Sequence, residues 1–302
     1  MNEAKLVHVE GREIRITHPD KVLFPDISMT KWDWILHLTH LAPWILPYAR
    51  DRYLTTIRWP DGVGSESFYQ KNIPSHAPDW VTSVQSGNVR YILLQDTPTL
   101  IWLANLACLE YHLSFDTASF PDQPTEIVFD IDPSVEGFER VMETALLTRE
   151  ALLELGLDGV VKTSGATGLQ IYVPIRQGYR FEQTRRISRF LAEYLAGQRP
   201  DLITLERKVK KRGEKVYFDY LQHWRGKSLI APYSTRARPG APVSTPLRWS
   251  ELKPSLTPQA FTLNTIHQRL TSIQDPFRAV TDPDHRFNLD DILDFLDRKQ
   301  KD

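Results

Sequence analysis

Two aspartates stand at alternate positions of an otherwise apolar segment, "IVFDIDP" (127–133). Side chains on a strand alternate between its faces, so the carboxylates of Asp130 and Asp132 are expected to share one face. At this spacing they lie roughly 6.5 Å apart, within reach of hard cations, which take oxygen ligands. Two such ions can clamp the attacking and leaving oxygens of a phosphoryl displacement. The alternative is structural: both residues begin a turn and cap the helix that follows.

A third carboxylate, Asp219, lies in a second apolar and aromatic segment, "KVYFDY" (215–220). An acidic side chain in such a strand is costly to bury unless it has a partner. Taken alone, Asp219 is as well explained by a salt bridge as by a metal ion. Together with Asp130 and Asp132, it can complete a three-carboxylate metal site.

A glycine-containing turn joins two predicted strands in "TSGATGLQIY" (163–172). Glycines let the backbone turn tightly and direct N–H groups at an anion, so Ser164, Gly165 and Gly168 are candidates for phosphate binding. The segment lacks the G-K-[ST] ending of a P-loop, and a strand rather than a helix follows it. A plain hairpin turn is the alternative.

Basic residues are concentrated on both sides of Asp219, in "ERKVKKRGEK" (206–215) and "WRGKSLIAPYSTRAR" (224–238). Such runs are usually solvated surface, but beside carboxylates they suit a polyanionic substrate. The segments "IRWPDG" (57–62) and "SFYQKN" (67–72) mix aromatic rings with cations. Such rings can stack bases while the cations hold phosphates, although the rings can equally belong to a core.

The elements around these residues alternate irregularly between strands and helices. Helices are predicted from Thr30 to Leu46, over 96–111, from Gly137 to Leu155, over 181–196 and over 288–299. Strands are predicted at 53–59, 67–71, 80–85, 90–95, within 125–134, twice within 159–175, and at 215–220 and 228–234. The absence of a regular βα repeat favours an α+β fold with a mainly antiparallel sheet over a doubly wound parallel fold.

The composition is that of a globular domain and excludes several classes of protein. Of the 302 residues, 41% are hydrophobic and 25% are charged, and a net charge of −1 leaves any nucleic-acid partner to local basic patches. The single cysteine, Cys108, excludes a disulfide framework and is expected to be a small buried residue. Because no apolar signal core or transmembrane-length run occurs, we expect a cytoplasmic protein that contacts no membrane.

Six motifs follow one another along most of the chain: "RWPDGV…FYQKN", "LEYH", "VFDIDP", "TSGATGLQIY", "VYFDYLQ" and "KSLIAPYSTRAR". In this order they resemble the polymerase domain of bacterial ligase D, the non-homologous end-joining enzyme, a member of the archaeo-eukaryotic primase superfamily. The resemblance implies a primase-like catalytic core with an RRM-like antiparallel sheet and flanking helices. We therefore expect a single primase-polymerase domain over 1–302. Within it, 1–120 would bind DNA and 5′-phosphate, 121–250 would form the catalytic core, and 251–302 would form a helical extension.

The resemblance also implies an activity and its partners. The activity is template-directed nucleotidyl transfer, with ribonucleotides preferred, that fills gaps and extends ends when double-strand breaks are repaired by non-homologous end joining. The substrates would be nucleoside triphosphates, and the cofactors two divalent ions, Mn²⁺ or Mg²⁺. The partners would be gapped, 5′-phosphorylated or broken DNA, Ku and a separate DNA ligase, with the protein a monomer in the bacterial cytoplasm.

Matching motif positions assigns roles to individual residues. The resemblance makes Asp130, Asp132 and Asp219 the catalytic metal ligands. The implied nucleotide-binding residues are His112, Ser164, Gly165, Thr167, Gly168, Gln222, Lys227 and Arg236. The residues implied to bind DNA and its 5′-phosphate are Lys21, Lys31, Arg58, Phe68, Tyr69 and Lys71.

Two positions of the glycine turn depart from the family pattern. Many members read S-G-x-K-G-L-H there, whereas this chain has Thr167 at the lysine position and Gln170 at the histidine position. Loss of a cation weakens triphosphate binding unless another basic residue, Lys162 or Lys227, compensates. Gln170 can still donate a hydrogen bond but carries no charge.

Two alternative functions follow from the same residues. The segment "IVFDIDPSV" is close to the D-x-D-x-T signature of haloacid-dehalogenase-type phosphohydrolases, with Asp130 as nucleophile and Asp132 as acid/base. Against this, no acid pair ends a strand further along the chain. The second alternative is a non-catalytic DNA-end-binding module, which Thr167 and Gln170 leave open. The K-x-D-G adenylation motif of ligases does not occur, so we do not expect this chain to seal nicks itself.

Overall fold

The computed structural model describes residues 4–299, which fall into two compact units. The first unit contains the residues up to Ser114, together with Ser228–Ser244 and Gln259–Ser272. The second contains Phe115–Lys227, Thr245–Pro258 and the residues from Ile273 onward. The predicted division of the chain at 120 and 250 stays a prediction.

The described residues contain six α-helices and sixteen strands, together with short 3-10 helices and loops. The helices are α1 (Lys31–Ala49), α2 (Thr97–Asn105), α3 (Glu139–Glu154), α4 (Phe181–Gln198), α5 (Leu263–Ser272) and α6 (Asp290–Lys299). The strands are β1 (Lys5–Val9), β2 (Arg12–Ile16), β3 (Val22–Phe24), β4 (Met29–Thr30), β5 (Arg52–Arg58), β6 (Phe68–Gln70), β7 (Ser83–Ser86), β8 (Val89–Ile92), β9 (Cys108–Thr117), β10 (Glu126–Asp132), β11 (Val160–Thr163), β12 (Leu169–Pro174), β13 (Ile203–Thr204), β14 (Val216–Asp219), β15 (Ser228–Ile230) and β16 (Pro246–Leu247).

A six-stranded sheet forms the centre of the second unit, in the order β13-β14-β10-β12-β11-β16. Every pairing in it is antiparallel except that of β13 with β14. The strand β10, which carries the aspartate pair, therefore lies between two antiparallel neighbours, β12 and β14. The helices α3 and α4 pack against this sheet, and the α+β fold class with a mainly antiparallel sheet is confirmed.

The apolar residues of β10 explain why it is the central strand. Ile127, Phe129 and Ile131 alternate along it and are fully buried, as the pattern predicts for one face of a strand. Phe129 packs against Phe218 of the neighbouring strand, with ring centroids 5.3 Å apart. This face is the hydrophobic core beneath the carboxylates, so β10 is held as a rigid support for Asp130 and Asp132.

The first unit contains a four-stranded sheet in the order β15-β9-β5-β6. The predicted start of α1 at Thr30 is confirmed: its hydroxyl accepts a hydrogen bond from Asp33 N at 3.2 Å, and Asp33 bonds back to Thr30 N. This reciprocal capping box satisfies two backbone donors that the first helical turn leaves open. Cys108 is fully buried as predicted, and burial raises the pKa of its thiol to about 12.

The helix predicted over 96–111 is wrong in its second half. The helix α2 ends at Asn105, and β9 begins at Cys108. Ala107 has a left-handed φ of 57°, which breaks the helix, and its carbonyl accepts a hydrogen bond from Trp59 N. The apolar run therefore divides into a buried helix and a buried strand, which periodicity alone does not distinguish. As a result, His112 lies on a strand.

Within residues 4–299, no helix combines the length and the apolar character that crossing a membrane requires.

Candidate active site

Four polar side chains form a row across the sheet of the second unit. Asp130 of β10 is directly opposite Asp219 of β14 on one side and Gln170 of β12 on the other. Gln170 is in turn opposite Lys162 of β11. Directly opposed residues of antiparallel strands project from the same face, so strands far apart in sequence bring these four side chains together.

The carboxylate of Asp130 is buried beside other negative charge. The side chain of Gln170 donates a hydrogen bond from Nε2 to Asp130 Oδ1 at 2.9 Å. Burial, followed by the charge of the neighbouring Asp132, raises the pKa of Asp130 to about 8, and Asp219 adds to this. The repulsion between these carboxylates means that the site gains electrostatic stability when a cation is bound.

The third carboxylate is held by its own strand and the loop that follows. Asp219 Oδ1 accepts a hydrogen bond from Leu221 N at 3.0 Å. Tyr217 stands opposite Asp132 in the register. Burial and the charge of Asp219, with which its hydroxyl is hydrogen-bonded, raise the pKa of Tyr217 well above its usual value. Its hydroxyl therefore stays protonated and donates its hydrogen bond to the carboxylate of Asp219.

The donor set fits a hard divalent cation that is completed by ligands from outside the chain. Among residues 4–299, no three His, Cys, Asp or Glu side chains are grouped closely enough to hold a metal by themselves. Mg²⁺ is usually bound by one or two carboxylates together with water and substrate phosphates. Asp130 and Asp132 supply such a pair, and the burial of Asp130 beside the negative charges of Asp132 and Asp219, which raises its pKa, is the observation in favour of a cation.

The glycine turn leaves two backbone donors available beside β10. Ser164 Oγ accepts hydrogen bonds from Ala166 N at 3.2 Å and Gly168 N at 3.0 Å, which closes the turn. The N–H groups of Gly165 and Thr167 donate to no acceptor among the described residues. Gly165 has a φ of +71°, which favours glycine. The turn therefore leaves two uncharged backbone donors open, and backbone donors of this kind can bind anions.

Arg185 of α4 stabilises the loop between β14 and β15 through hydrogen bonds to the carbonyl groups of the loop. The guanidinium of Arg185 donates from Nη2 to the carbonyls of Leu221 at 3.2 Å and His223 at 2.8 Å, and lies 4.3 Å from the ring centroid of Trp224. Lys227 Nζ donates to the same Leu221 carbonyl at 2.8 Å. Gln222, predicted to bind nucleotide, is half-buried within this loop.

His223 makes the folding of this loop dependent on pH. Its imidazole is fully buried between the rings of Phe115 and Phe181 and makes a hydrogen bond through Nε2 to Thr184 Oγ1 at 3.0 Å. Burial, with the charge of Arg185, lowers its pKa to about 3. The unfolded chain binds this proton near pH 6.5. The neutral imidazole therefore makes its full contribution to the free energy of unfolding above pH 6.5, and this contribution is lost as the pH falls towards 3.

We expect His223→Gln to remove this pH dependence. Between pH 6 and 4, the free energy of unfolding of the wild type should fall relative to the variant by about 2–3 kcal/mol. The measurement is urea denaturation across that range, with exposed His76→Gln as the matched control. Parallel stability curves for the wild type and His223→Gln would show that the imidazole is protonated in the folded protein.

Within the first unit, two predicted nucleotide-binding residues share one carboxylate. Glu110 Oε2 accepts hydrogen bonds from His112 Nε2 at 2.9 Å and from Arg236 Nη1 at 2.8 Å. Its other oxygen accepts from Ala237 N at 3.0 Å. Although burial opposes ionisation, the hydrogen bond from His112 and the charge of Arg236 bring the pKa of Glu110 down to about 2. The ionised Glu110 thus fixes the side chains of both His112 and Arg236.

The two predicted 5′-phosphate lysines of the first unit differ sharply in their surroundings. Lys31 is buried, and its ammonium donates to the carbonyls of Thr17 at 2.8 Å and Asn105 at 3.0 Å. Burial, with the charge of Lys21, lowers the pKa of Lys31 to about 8. Lys21 is more open and forms an ion pair with Asp61 at 2.6 Å. Lys21 is therefore the one better placed to exchange its partner for a phosphate.

The predicted aromatic pair lies at an edge of the four-stranded sheet. The side chains of Phe68 and Tyr69 are 45% and 73% exposed, so neither belongs to a core. Arg58 lies 5.1 Å from the ring centroid of Phe68 and donates to the carbonyl of Leu106. Lys71, two positions after Tyr69, is exposed. Exposed rings beside cations are suited to stacking on bases and holding phosphates.

Sequence reasoning missed Glu110, Arg185 and His223 as residues that organise these sites. Glu110 could have been found, because it stands two positions before His112 in "LEYH", a spacing that shares a face once the segment is read as a strand. Arg185 and His223 lie 38 positions apart, and their contact depends on the packing of α4. No local pattern indicates it.

A solved structure of a known protein shares this fold. The polymerase domain of Mycobacterium tuberculosis ligase D, solved in complex with DNA, matches with a TM-score of 0.81 and 28% sequence identity. The match covers 89% of this chain and 98% of that one. The fold is therefore that of the archaeo-eukaryotic primases.

Sequence comparisons identify the family within this class. Residues 30–277 match the family model described as "LigD, primase-polymerase domain". The LigD end-joining proteins of Bacillus subtilis and Mycolicibacterium smegmatis are 38% and 34% identical over 92% and 79% of this chain. The chain belongs to the LigD primase-polymerase domain family. It spans 45% and 32% of the lengths of these two relatives.

Proposed function

We propose that this chain is a template-directed nucleotidyltransferase that fills gaps and extends ends during non-homologous end joining. The observation that carries the proposal is the row of carboxylates on β10 and β14, beside a turn with open N–H groups, in a member of the LigD primase-polymerase family. The family assignment favours this function over the first alternative, a haloacid-dehalogenase-type phosphohydrolase.

Two divalent ions, Mn²⁺ or Mg²⁺, are proposed to act at Asp130, Asp132 and Asp219. When bound, such ions stabilise the charge that develops on the attacking and leaving oxygens of a phosphoryl transfer. Asp130 and Asp132 hold their carboxylates on one face of a rigid strand, and Asp219 is fixed opposite Asp130 by the loop amide of Leu221. Their role is to bind and orient rather than to move protons.

The nucleoside triphosphate is the proposed ligand of the residues that the family resemblance assigns to nucleotide binding. These residues are His112, Ser164, Gly165, Thr167, Gly168, Gln222, Lys227 and Arg236. The open N–H groups of Gly165 and Thr167 suit phosphate oxygens. These donors would supply part of the phosphate binding that a lysine at position 167 provides in other family members. Ribonucleotides are proposed as the preferred substrates.

DNA is the proposed macromolecular partner. The M. tuberculosis domain that matches this chain was solved in complex with DNA. We propose that Lys21 and Lys31, with Arg58, Phe68, Tyr69 and Lys71, bind gapped or broken DNA and its 5′-phosphate. Because Lys31 is tied to two carbonyls, Lys21 is proposed to make the direct phosphate contact. Ku and a separate DNA ligase are the proposed protein partners of a monomer that works in the bacterial cytoplasm.

The deciding experiment is extension across a short DNA gap. The protein is incubated with Mn²⁺, a primed template whose gap ends in a 5′-phosphate, and either ribo- or deoxyribonucleoside triphosphates. We expect templated incorporation, faster with ribonucleotides and reduced when the downstream 5′ end lacks phosphate. No incorporation with tight DNA binding would instead identify a non-catalytic end-binding module. Phosphate release from a small phosphomonoester, without incorporation, would identify a phosphohydrolase.

A further inference from the structure

A buried lysine is connected to the carboxylate of Asp130 through a single amide. Lys162 on β11 is fully buried, and its ammonium donates to Gln170 Oε1 and lies 5.6 Å from the ring centroid of Tyr172. Gln170, itself 2% exposed, donates from Nε2 to Asp130 Oδ1 at 2.9 Å. These side chains form a continuous line of hydrogen bonds across β11, β12 and β10.

The donors and acceptors in this line of hydrogen bonds can be arranged in only one order. An ammonium group can only donate, so Gln170 must turn its carbonyl oxygen towards Lys162. The amide nitrogen of Gln170 then necessarily faces Asp130. Without Lys162 the amide could rotate by half a turn and present its oxygen to the carboxylate, which would repel it. Lys162 therefore determines that Asp130 receives a donor.

Burying the Lys162 ammonium costs free energy, so its presence here indicates a role that an apolar side chain cannot fill. Desolvating an ammonium group carries a large penalty, which hydrogen bonds and nearby negative charge only partly offset. A methionine would occupy similar space without that penalty. The structure also commits both ends of the Gln170 amide to protein groups. Gln170 thus acts on a metal ligand rather than on the nucleotide.

We propose that Lys162 and Gln170 are positioning residues for the divalent cation. Lys162 orients the Gln170 amide, and Gln170 fixes the Asp130 carboxylate in the orientation that binds metal. This inference rests on the proposed function, since it assigns the machinery of the same metal site. Groups that orient metal ligands in this way typically change metal affinity by about 10- to 100-fold when they are removed.

The test is a double-mutant cycle with Mn²⁺ affinity as its readout. Free Mn²⁺ is measured by electron paramagnetic resonance for the wild type, Lys162→Met, Gln170→Met and the double variant. We expect each single variant to weaken Mn²⁺ binding about 10-fold or more. We expect the double variant to bind no more weakly than Gln170→Met, because Lys162 acts through the amide. The exposed Lys253→Met is the matched control for loss of one positive charge.

Unfolding of the metal-free proteins separates positioning from packing. Lys162→Met is expected to be as stable as the wild type or more stable in chelator, although it binds Mn²⁺ weakly. If Lys162→Met does not fold, Gln170→Met alone carries the test, because it removes the amide and keeps the side-chain length. A folded Gln170→Met with wild-type Mn²⁺ affinity overturns the inference.

The remaining outcomes of the cycle are also decisive. Wild-type Mn²⁺ affinity in a folded Lys162→Met overturns the proposal. An equal effect of Lys162→Met in the Gln170→Met background also overturns it, since the lysine would then act without the amide. A wild-type protein that binds no Mn²⁺ and extends no primer overturns the proposed function, and this inference with it. Wild-type extension with unchanged variants overturns this inference alone.

Discussion

Replacing Asp130 by asparagine should abolish primer extension and at the same time stabilise the metal-free protein. Asparagine keeps the shape of the side chain and can still accept the hydrogen bond from Gln170. It removes a carboxyl group whose ionised form is disfavoured first by burial and then by the charges of Asp132 and Asp219, which together raise the pKa of Asp130. We expect extension to fall by about 10³-fold or more, which corresponds to roughly 4 kcal/mol of transition-state stabilisation. The free energy of unfolding in chelator should rise by about 1–3 kcal/mol.

Opposite changes in activity and stability distinguish a ligand from a structural residue. The measurements are gap extension with Mn²⁺ and urea denaturation with and without Mn²⁺; the ion should stabilise the wild type but not Asp130→Asn. Asp132→Asn is expected to lose extension in the same way, and both variants should still bind DNA. The exposed Asp294→Asn makes the same charge change elsewhere in the second unit and should leave both readouts unchanged. Full extension by Asp130→Asn would refute the metal assignment.

Gly168→Ala should damage both the turn and the metal site. A methyl group at this position would lie 2.5 Å from the carbonyl oxygen of Ile131 and 2.8 Å from Asp132 Oδ1. The backbone φ of Gly168 is not in the left-handed region, so the restriction is one of space. Either β12 must move away from β10 or the carboxylate must rotate. We expect a loss of about 1–3 kcal/mol in the free energy of unfolding, and extension at least about 10-fold lower when corrected for the folded fraction.

Gly197→Ala provides the matched control for this substitution. Gly197 lies near the end of α4 in the same unit, and a methyl group there would meet nothing within 4 Å. Alanine within a helix should be neutral or stabilising by up to about 1 kcal/mol. If Gly168→Ala also folds and extends as the wild type does, the close approach of the turn to Asp132 has no part in metal binding.

The sequence was sufficient to predict the elements that carry the site and the face they share. Alternation along β10 placed Asp130 and Asp132 together, away from the buried isoleucines, as observed. The glycine turn between two strands and the helix that Thr30 caps were also predicted, because both depend on contacts a few residues apart. These are local rules, and the structure follows them.

Contacts between distant strands could not be predicted in the same way. That Asp219 stands opposite Asp130, and Gln170 on its other side, depends on the strand order β14-β10-β12 and on the register of each pair. A shift of one residue in either register would turn one of these side chains to the opposite face. The ion pair of Glu110 with Arg236 joins positions 126 apart. Such pairings are properties of the folded sheet and leave no spacing in the sequence.

The open amides of the turn at Gly165 and Thr167 have a consequence for how salt affects this protein. A lysine attracts phosphate through a net charge, and dissolved ions screen that attraction and compete for it. Backbone N–H groups carry no net charge, and they bind over a short distance through fixed dipoles. Under the proposed function, threonine in place of lysine at position 167 would make phosphate binding at this turn short-ranged and tolerant of ionic strength. Any long-range attraction of polyanions would then come from the exposed lysines and arginines elsewhere on the chain.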